Sequence, residues 1–270
     1  MSEGPLLRAL GLHRGQAVAA VGAGGKTSLL AALAAECHAA GWRPALLTTT
    51  TKIFAPGEGS LLLLGEASSL ARTLGAWSGE HSGPLTLARA RLGEAPVPGE
   101  PSLRRMKLDG FAPGELEALR EGAGVLLIEA DGARGLPIKS PGPEEPVIPP
   151  WAEAVVGVVG LRALGAPLDE AHAFRSDLLR KITGLPSGAP VTAEAVGRLA
   201  GHPEGLFKGA PRGARKLVLL NQADAMDLDK LKETAYIIWS VAGTPRGPIE
   251  RILCASLGGG PGITHQFPAA

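Results

Sequence analysis

Excess charge, clustered cysteine or histidine and long apolar runs are all missing from this chain, and each absence removes a class of function. Its two cysteines are Cys37, on the apolar stripe of the first long helix, and Cys254, in a late apolar run; they exclude a disulfide framework and read as small core residues. Six histidines are scattered without a CxxC or HxxxH pair, so any metal is expected to arrive with a nucleotide. With 27 basic and 26 acidic residues the net charge is +1, which exerts no global pull on nucleic acid and leaves small metabolites or proteins as the expected partners. No apolar run approaches a membrane span, and Glu3 and Pro5 stand where a secretory leader would be basic and then apolar. The expected location is therefore cytoplasmic, with no membrane partner.

Hydrophobic residues, by contrast, make up 45% of the 270 positions, enough for a proper core. That length suits one large α/β domain over 1–270 and is short for two average enzymes.

The organising stretch is Ala20-Val21-Gly22-Ala23-Gly24-Gly25-Lys26-Thr27. An apolar run over 17–21 reads as a buried strand, the glycines allow a sharp turn that aims N–H groups inward, and an Ala/Leu-rich helix follows. This is GxxxxGK[ST] with Ala20 in the place of the first Gly. The spacing assigns Gly22, Ala23, Gly24, Gly25, Lys26, Thr27 and Ser28 to phosphate binding, with the Lys26 ammonium on the β- and γ-phosphates and the Thr27 hydroxyl on Mg²⁺. A dinucleotide fingerprint starting at Gly22 would need Gly where Thr27 stands, and it is excluded.

Helical spacing of Leu29, Leu30, Leu33 and Cys37 ends near Gly41, and a strand over 44–47 then finishes in Thr48, Thr49, Thr50, Thr51 and Lys52. These hydroxyls either face a ligand or simply end a β-branched strand. Residues 61–108, within 55–110, read as an elaboration of the sheet edge, with a helix near Leu70, a strand over 85–87 and a loop over 96–102. Pro113 opens a helix with Leu116 and Leu119 on one side.

A second signal ends the apolar strand 124–128. Glu129 and Asp131 are carboxylates at a strand end downstream of the phosphate loop, where Mg²⁺ and an attacking water are held in such enzymes. Arg134 and Lys139 either neutralise developing phosphate charge or only cover the loop surface. The proline-dense run 136–150 reads as a rigid surface loop. A strand over 154–159, a helix over 168–182 carrying His172 and Arg175, and a helix over 192–200 complete this half.

The third signal is Asn221-Gln222-Ala223-Asp224 after the strand 217–220. Its place is that of the NKxD base-reading motif of GTPases, with Gln222 where Lys is usual. A carboxylate such as Asp224 accepts from the two N–H groups on guanine's Watson–Crick edge, whereas adenine offers no donor at its ring nitrogen. Asp227 starts a further helix, Cys254-Ala255-Ser256 lies in a final strand over 252–257, and the Gly-rich tail 258–270 is expected to be mobile.

The ordered set VGAGGKTS, LLTTTTKI, LLIEADGARGLPIKSP with EPVIP after it, and LNQAD resembles the YqeC family, accessory proteins of selenium-dependent molybdenum hydroxylases. The resemblance spans nearly the whole chain and is weakest over 61–108. It implies a role in maturation or selenium-cofactor biosynthesis of those hydroxylases, with a hydroxylase or its maturation factors as protein partners. Glu129-Ala130-Asp131-Gly132 is also similar to the ExxG of nickel-enzyme maturation GTPases.

Together these readings give a three-layer α/β P-loop NTPase-like domain with a mostly parallel sheet. The expected activity is Mg²⁺-dependent hydrolysis of GTP in preference to ATP, with Lys26, Glu129, Asp131 and Arg134 in catalysis. Thr27, Glu129 and Asp131 would hold metal, and Asn221 and Asp224 would read the base. An ATP-dependent ligase or kinase of P-loop type, a non-hydrolysing scaffold and a homodimer stay open.

Overall fold

A computed structural model describes residues 3–57, 61–76, 83–243, 249–258 and 262–268. Helix α1 (Pro5–Leu10) leads into β1 (Ala17–Gly22), whose six residues are all buried, as a central parallel strand covered on both faces requires. A glycine turn opens α2 (Lys26–Ala39), which buries Leu29, Leu30, Leu33 and Cys37 as their spacing predicts, and β2 (Ala45–Thr49) follows. Then come β3 (Lys52–Phe54), β4 (Leu61–Leu64), α3 (Ala67–Gly75), β5 (Leu85–Ala88), β6 (Ala90–Val97) and β7 (Glu100–Asp109). Pro at the start of α4 (Pro113–Arg120) needs no N–H there, and Glu115 accepts from Ala112 N–H at 2.7 Å.

The second half holds β8 (Val125–Glu129), β9 (Ile138–Lys139), β10 (Ala154–Gly160), β11 (Ala173–Phe174), α5 (Ser176–Thr183) and α6 (Ala193–Gly201). It ends with β12 (Arg215–Asn221), α7 (Leu228–Val241), β13 (Arg251–Ser256) and β14 (Gly262–Phe267). Side-chain caps begin α6, where Thr192 accepts from Ala195 N–H, and α7, where Asp227 accepts from Lys230 N–H.

The central sheet has nine strands in the order β14-β13-β12-β10-β1-β8-β2-β5-β4, all pairs parallel except β13 with β14. Alternation along the strands separates two faces. Val18 and Ala20 pack with α1 and α2, while Ala19 and Val21 pack with residues of α5, α6 and α7, and Leu126 and Ile128 with those of α3 and α4. Helices on both faces of a mostly parallel sheet make a three-layer α/β arrangement of the P-loop NTPase kind. Among the described residues, no helix is long and apolar enough to cross a membrane.

Three expectations about elements change, and a fourth gains detail. Residues 61–108 extend the sheet edge: β5 and β4 join the central sheet in parallel as its last two strands, and β6 and β7 form a hairpin that pairs with β3 in a separate antiparallel sheet. The loop expected over 96–102 is the end of that hairpin, with Pro96 opposite Arg104, because Pro on an edge strand forfeits no ladder bond. The helix expected over 168–182 begins only at Ser176. Arg175 takes a positive φ of 59°, which breaks the helical path, and Glu170 accepts from the Ser176 N–H and hydroxyl to cap the true start. In the tail, 262–267 are a strand rather than a mobile end, pairing with β13, while 259–261 and 269–270 lie outside the described residues.

The run 136–150 also differs from a surface loop. Ile138, Lys139, Ser140, Pro141, Gly142, Ile148 and Pro149 are buried, and Val147 N–H donates to the Ala130 carbonyl at 2.9 Å. Apart from the two-residue strand β9, which pairs with β11, its prolines interrupt regular structure, and the run packs inward as a strap against the end of β8.

Candidate functional site

Parallel pairing of β1 with β8 sets Ala20 opposite Glu129, so the turn after one strand meets the carboxylates at the end of the other. That turn closely fits its neighbours. A Cβ on Gly24, at φ 86°, would come 2.3 Å from the backbone N of Gly160, and one on Gly25, at φ 133°, would come 2.2 Å from Asn221 Nδ2. The backbone N–H groups from Gly24 to Ser28 meet no acceptor among the described residues, as expected of a helix start, while Leu29 N–H returns to the Gly25 carbonyl.

Lys26 folds back over the turn. Its ammonium donates to the Gly22 carbonyl at 2.6 Å and lies 3.1 Å from Asp131 Oδ1 and 4.0 Å from Glu129 Oε1. Asp131 is 1% exposed and engaged from three sides, because Gly22 N–H reaches its Oδ2 at 3.0 Å and Lys139 Nζ the same oxygen at 3.0 Å. Lys139 is buried too. It continues to the Gly132 carbonyl at 2.7 Å and to Glu145 Oε2 at 2.5 Å. Arg175 closes the chain with two bonds to Glu145, at 2.5 and 2.8 Å. Burial works against ionisation of Glu145, but the hydrogen bonds and charges of Arg175 and Lys139 outweigh it and hold the carboxyl at about 2.

Thr27 is exposed at the first turn of α2, and its hydroxyl donates to Glu129 Oε2 at 2.8 Å. Burial raises the Glu129 pKa, and Asp131 adds to the rise, whereas Lys26, the Thr27 bond and Lys107 oppose it. Among the described residues no three His, Cys, Asp or Glu side chains group to hold a metal. Thr27 and Glu129 instead offer two adjacent hard oxygens, a set that fits Mg²⁺ when phosphate oxygens complete the shell.

The threonine cluster is structural in its bonding. Thr48, Thr49 and Thr50 donate their hydroxyls to the carbonyls of Leu87, Glu129 and Val147, fastening β2 to β5, to β8 and to the strap. Asn221 ties the far side: its Nδ2 donates to the Gly24 carbonyl at 2.7 Å, and its Oδ1 accepts from Leu257 N–H at 3.2 Å. Asp224 is exposed beside β13, with its N–H on Ser256 Oγ at 3.0 Å, so the expected base-reading pair lies next to the end of that strand. Ser28 lies exposed one residue beyond Thr27.

Arg134 stands outside the carboxylate cluster. It has φ 51°, is exposed, and its guanidinium lies 4.7 Å from the Phe174 ring, with no ion pair among the described residues. Arg175, expected within the helix over 168–182, instead precedes α5 and turns inward to Glu145, and His172 pairs with Asp169 at 2.7 Å in the loop before α5. Sequence reading missed Glu145 and Lys107 and gave Lys139 only a surface or charge-neutralising role. Nothing in the local pattern of a proline-rich run marks Lys139 as a buried ion-pair partner.

The chain matches the family described as "YqeC protein" over residues 18–177, a span that holds the glycine turn, both carboxylates, Lys139, Glu145 and Arg175 but ends before Asn221. It is 34% identical over 212 residues to "Uncharacterized protein YqeC" of Escherichia coli (strain K12), covering 76% of this chain and 75% of that protein. No solved structure matches.

Proposed function

Taking as premise that the chain belongs to the YqeC family, we propose that it binds a Mg²⁺–nucleoside triphosphate, GTP in preference to ATP, and hydrolyses it slowly. One observation carries this reading: a glycine turn presents Lys26 and Thr27 to Asp131 and Glu129 at 3.1 and 2.8 Å. The amides from Gly24 to Thr27 receive the β- and γ-phosphates, and Lys26 leaves Asp131 to join them.

Thr27 and Glu129 hold the metal, since Asp131 is already committed to Lys139 and Gly22 N–H. Mg²⁺, when bound, neutralises charge on the phosphate oxygens. Glu129 also orients the attacking water, and Arg134 is the exposed cation available to developing charge. Asn221 fixes the turn, and Asp224 accepts from the guanine edge. The assignment to maturation of a selenium-dependent molybdenum hydroxylase follows from the family resemblance of the motifs, in keeping with a nucleotide-driven accessory role.

Calorimetric titration of GTP and ATP, with and without Mg²⁺, tests the proposal. Wild type should prefer GTP by at least about tenfold, the range of one lost charged hydrogen bond, and Asp224→Ala should abolish the preference. Lys26→Ala should bind neither nucleotide. Tight binding by Lys26→Ala would overturn the site, and an ATP preference untouched by Asp224→Ala would make the base motif accidental and favour the ligase alternative.

A further inference from the structure

Strands β3, β6 and β7 form a sheet of their own, yet both ends of it are fixed beside the carboxylates. At the root, Phe111 N–H donates to the Thr49 carbonyl at 2.9 Å, and Gly110 is wedged where a Cβ would come within 2.5 Å of the Thr49 and Thr51 carbonyl oxygens. At the hairpin turn, a Cβ on Gly135 would come 2.4 Å from Pro98, so the tip rests on the loop after Asp131. The hairpin therefore bridges the end of β2 and the loop following β8.

Strand alternation puts five residues on one face of this bridge. Lys52 is opposite Asp109, Phe54 is opposite Lys107, and Arg105 is two residues from Lys107. The Lys107 ammonium lies 4.2 Å from the centre of the Phe54 ring and the Arg105 guanidinium 5.7 Å. Arg105 also donates to the Ala55 carbonyl, but Lys107 has no hydrogen bond or ion pair among the described residues. Its neighbour at longer range is Glu129, which turns its own oxygens to Thr27 and Lys26. Burial lowers the Lys107 pKa and Lys52 lowers it further, while Glu129 raises it. A half-buried ammonium over an aromatic ring, with no acceptor of its own, keeps its donors for an anion.

We propose that the face formed by Lys52, Phe54, Arg105 and Lys107 is a second binding site, for a small carboxylate- or phosphate-bearing molecule that meets the nucleotide across Glu129. Only the occupant's role as acceptor rests on the nucleotide reading; the anion site itself rests on the hairpin. An oxygen of such an occupant would attack the γ-phosphorus in place of water, forming an acyl phosphate or a phosphoanhydride as the bond to the β-phosphate oxygen breaks and the nucleoside diphosphate leaves.

Inorganic phosphate and succinate serve as separate probes, titrated into the full chain in the presence of Mg²⁺ and a non-hydrolysable nucleotide. Lys107→Ala should weaken at least one probe by roughly tenfold or more, the loss expected for a charged hydrogen bond, and Lys107→Arg should restore most of it. Nucleotide affinity should be the same in all three proteins. Equal probe affinity in wild type and Lys107→Ala overturns the proposal, as does the absence of saturable binding. So does phosphate binding lost in Lys26→Ala but kept in Lys107→Ala, since the anion then occupies the glycine turn. If Lys107→Ala melts early, Lys52→Ala, at the exposed edge of the same face, makes the same comparison. Probe binding that depends on Lys107 in a protein that binds no nucleotide would defeat the nucleotide reading and leave this one standing.

Discussion

Asp131 is the residue on which the interior of the site turns, because it is a buried carboxylate shared by two lysines. Lys26 at 3.1 Å and Lys139 at 3.0 Å both lie against it, and Lys139 also holds Glu145, so Lys26 is the partner that can leave with a lysine still beside the carboxylate. On the proposed reading, that arrangement leaves Lys26 free to move to phosphate while Lys139 stays on Asp131. The two substitutions should therefore differ in kind. Lys139→Ala removes a buried partner of both Asp131 and Glu145 and should cost about 3–5 kcal/mol in urea unfolding, the range for breaking a buried pair. Lys26→Ala should abolish nucleotide binding at a smaller cost in stability. Equal stabilities of Lys139→Ala and wild type would mean that Lys26 by itself compensates Asp131.

At the scale of elements, the strap over 136–150 is held by charge as well as by the short β9–β11 pairing that its prolines allow. Glu145, between Lys139 and Arg175, fastens it to the start of α5. With its carboxyl held at about 2 against an ordinary 4.5, Glu145 contributes stability that is fully present above pH 4.5 and lost as pH falls toward 2. Glu145→Gln should thus be less stable than wild type at pH 7 by about 3 kcal/mol at most, with the gap closing between pH 4.5 and 2. A gap constant over that range in thermal melts would show that the Glu145 charge does not fasten the strap. Several elements were legible beforehand because their signals are local: the run 17–21, the stripe from Leu29 to Cys37, Pro113 and Asp227. The helix over 168–182 was not, since its apolar spacing continues through residues whose backbone is diverted by Arg175 at positive φ. The hairpin β6–β7 escaped because its exposed strands lack an apolar face to alternate.

For the whole molecule, the order of strands decides what meets what. Placing β1 between β8 and β10, and β12 next to β10, brings the glycine turn, Glu129 and Asn221 together from positions far apart in sequence. The same sheet seals both cysteines: Cys37 and Cys254 are fully buried, and burial pushes each thiol up to about 12. Iodoacetamide at pH 8 should leave both unmodified in the native protein and label both on a timescale set by unfolding. Rapid labelling of either one would show local opening of α2 or β13.

The sequence by itself determined what short-range spacing can encode. Glycines that the turn requires, a Lys-Thr pair at the start of a helix, carboxylates after an apolar strand and an Asn-Gln-Ala-Asp after another all follow from neighbours within a few residues. Tertiary structure alone decided which charges pair and which remain free. It buried Lys139 against Asp131, turned Arg175 inward to Glu145, used the threonine hydroxyls as fastenings and set Lys107 over Phe54 without an acceptor among the described residues. The physical reason is that burial and pairing depend on which distant strands become neighbours, and that choice belongs to the packing of the whole sheet rather than to any local pattern.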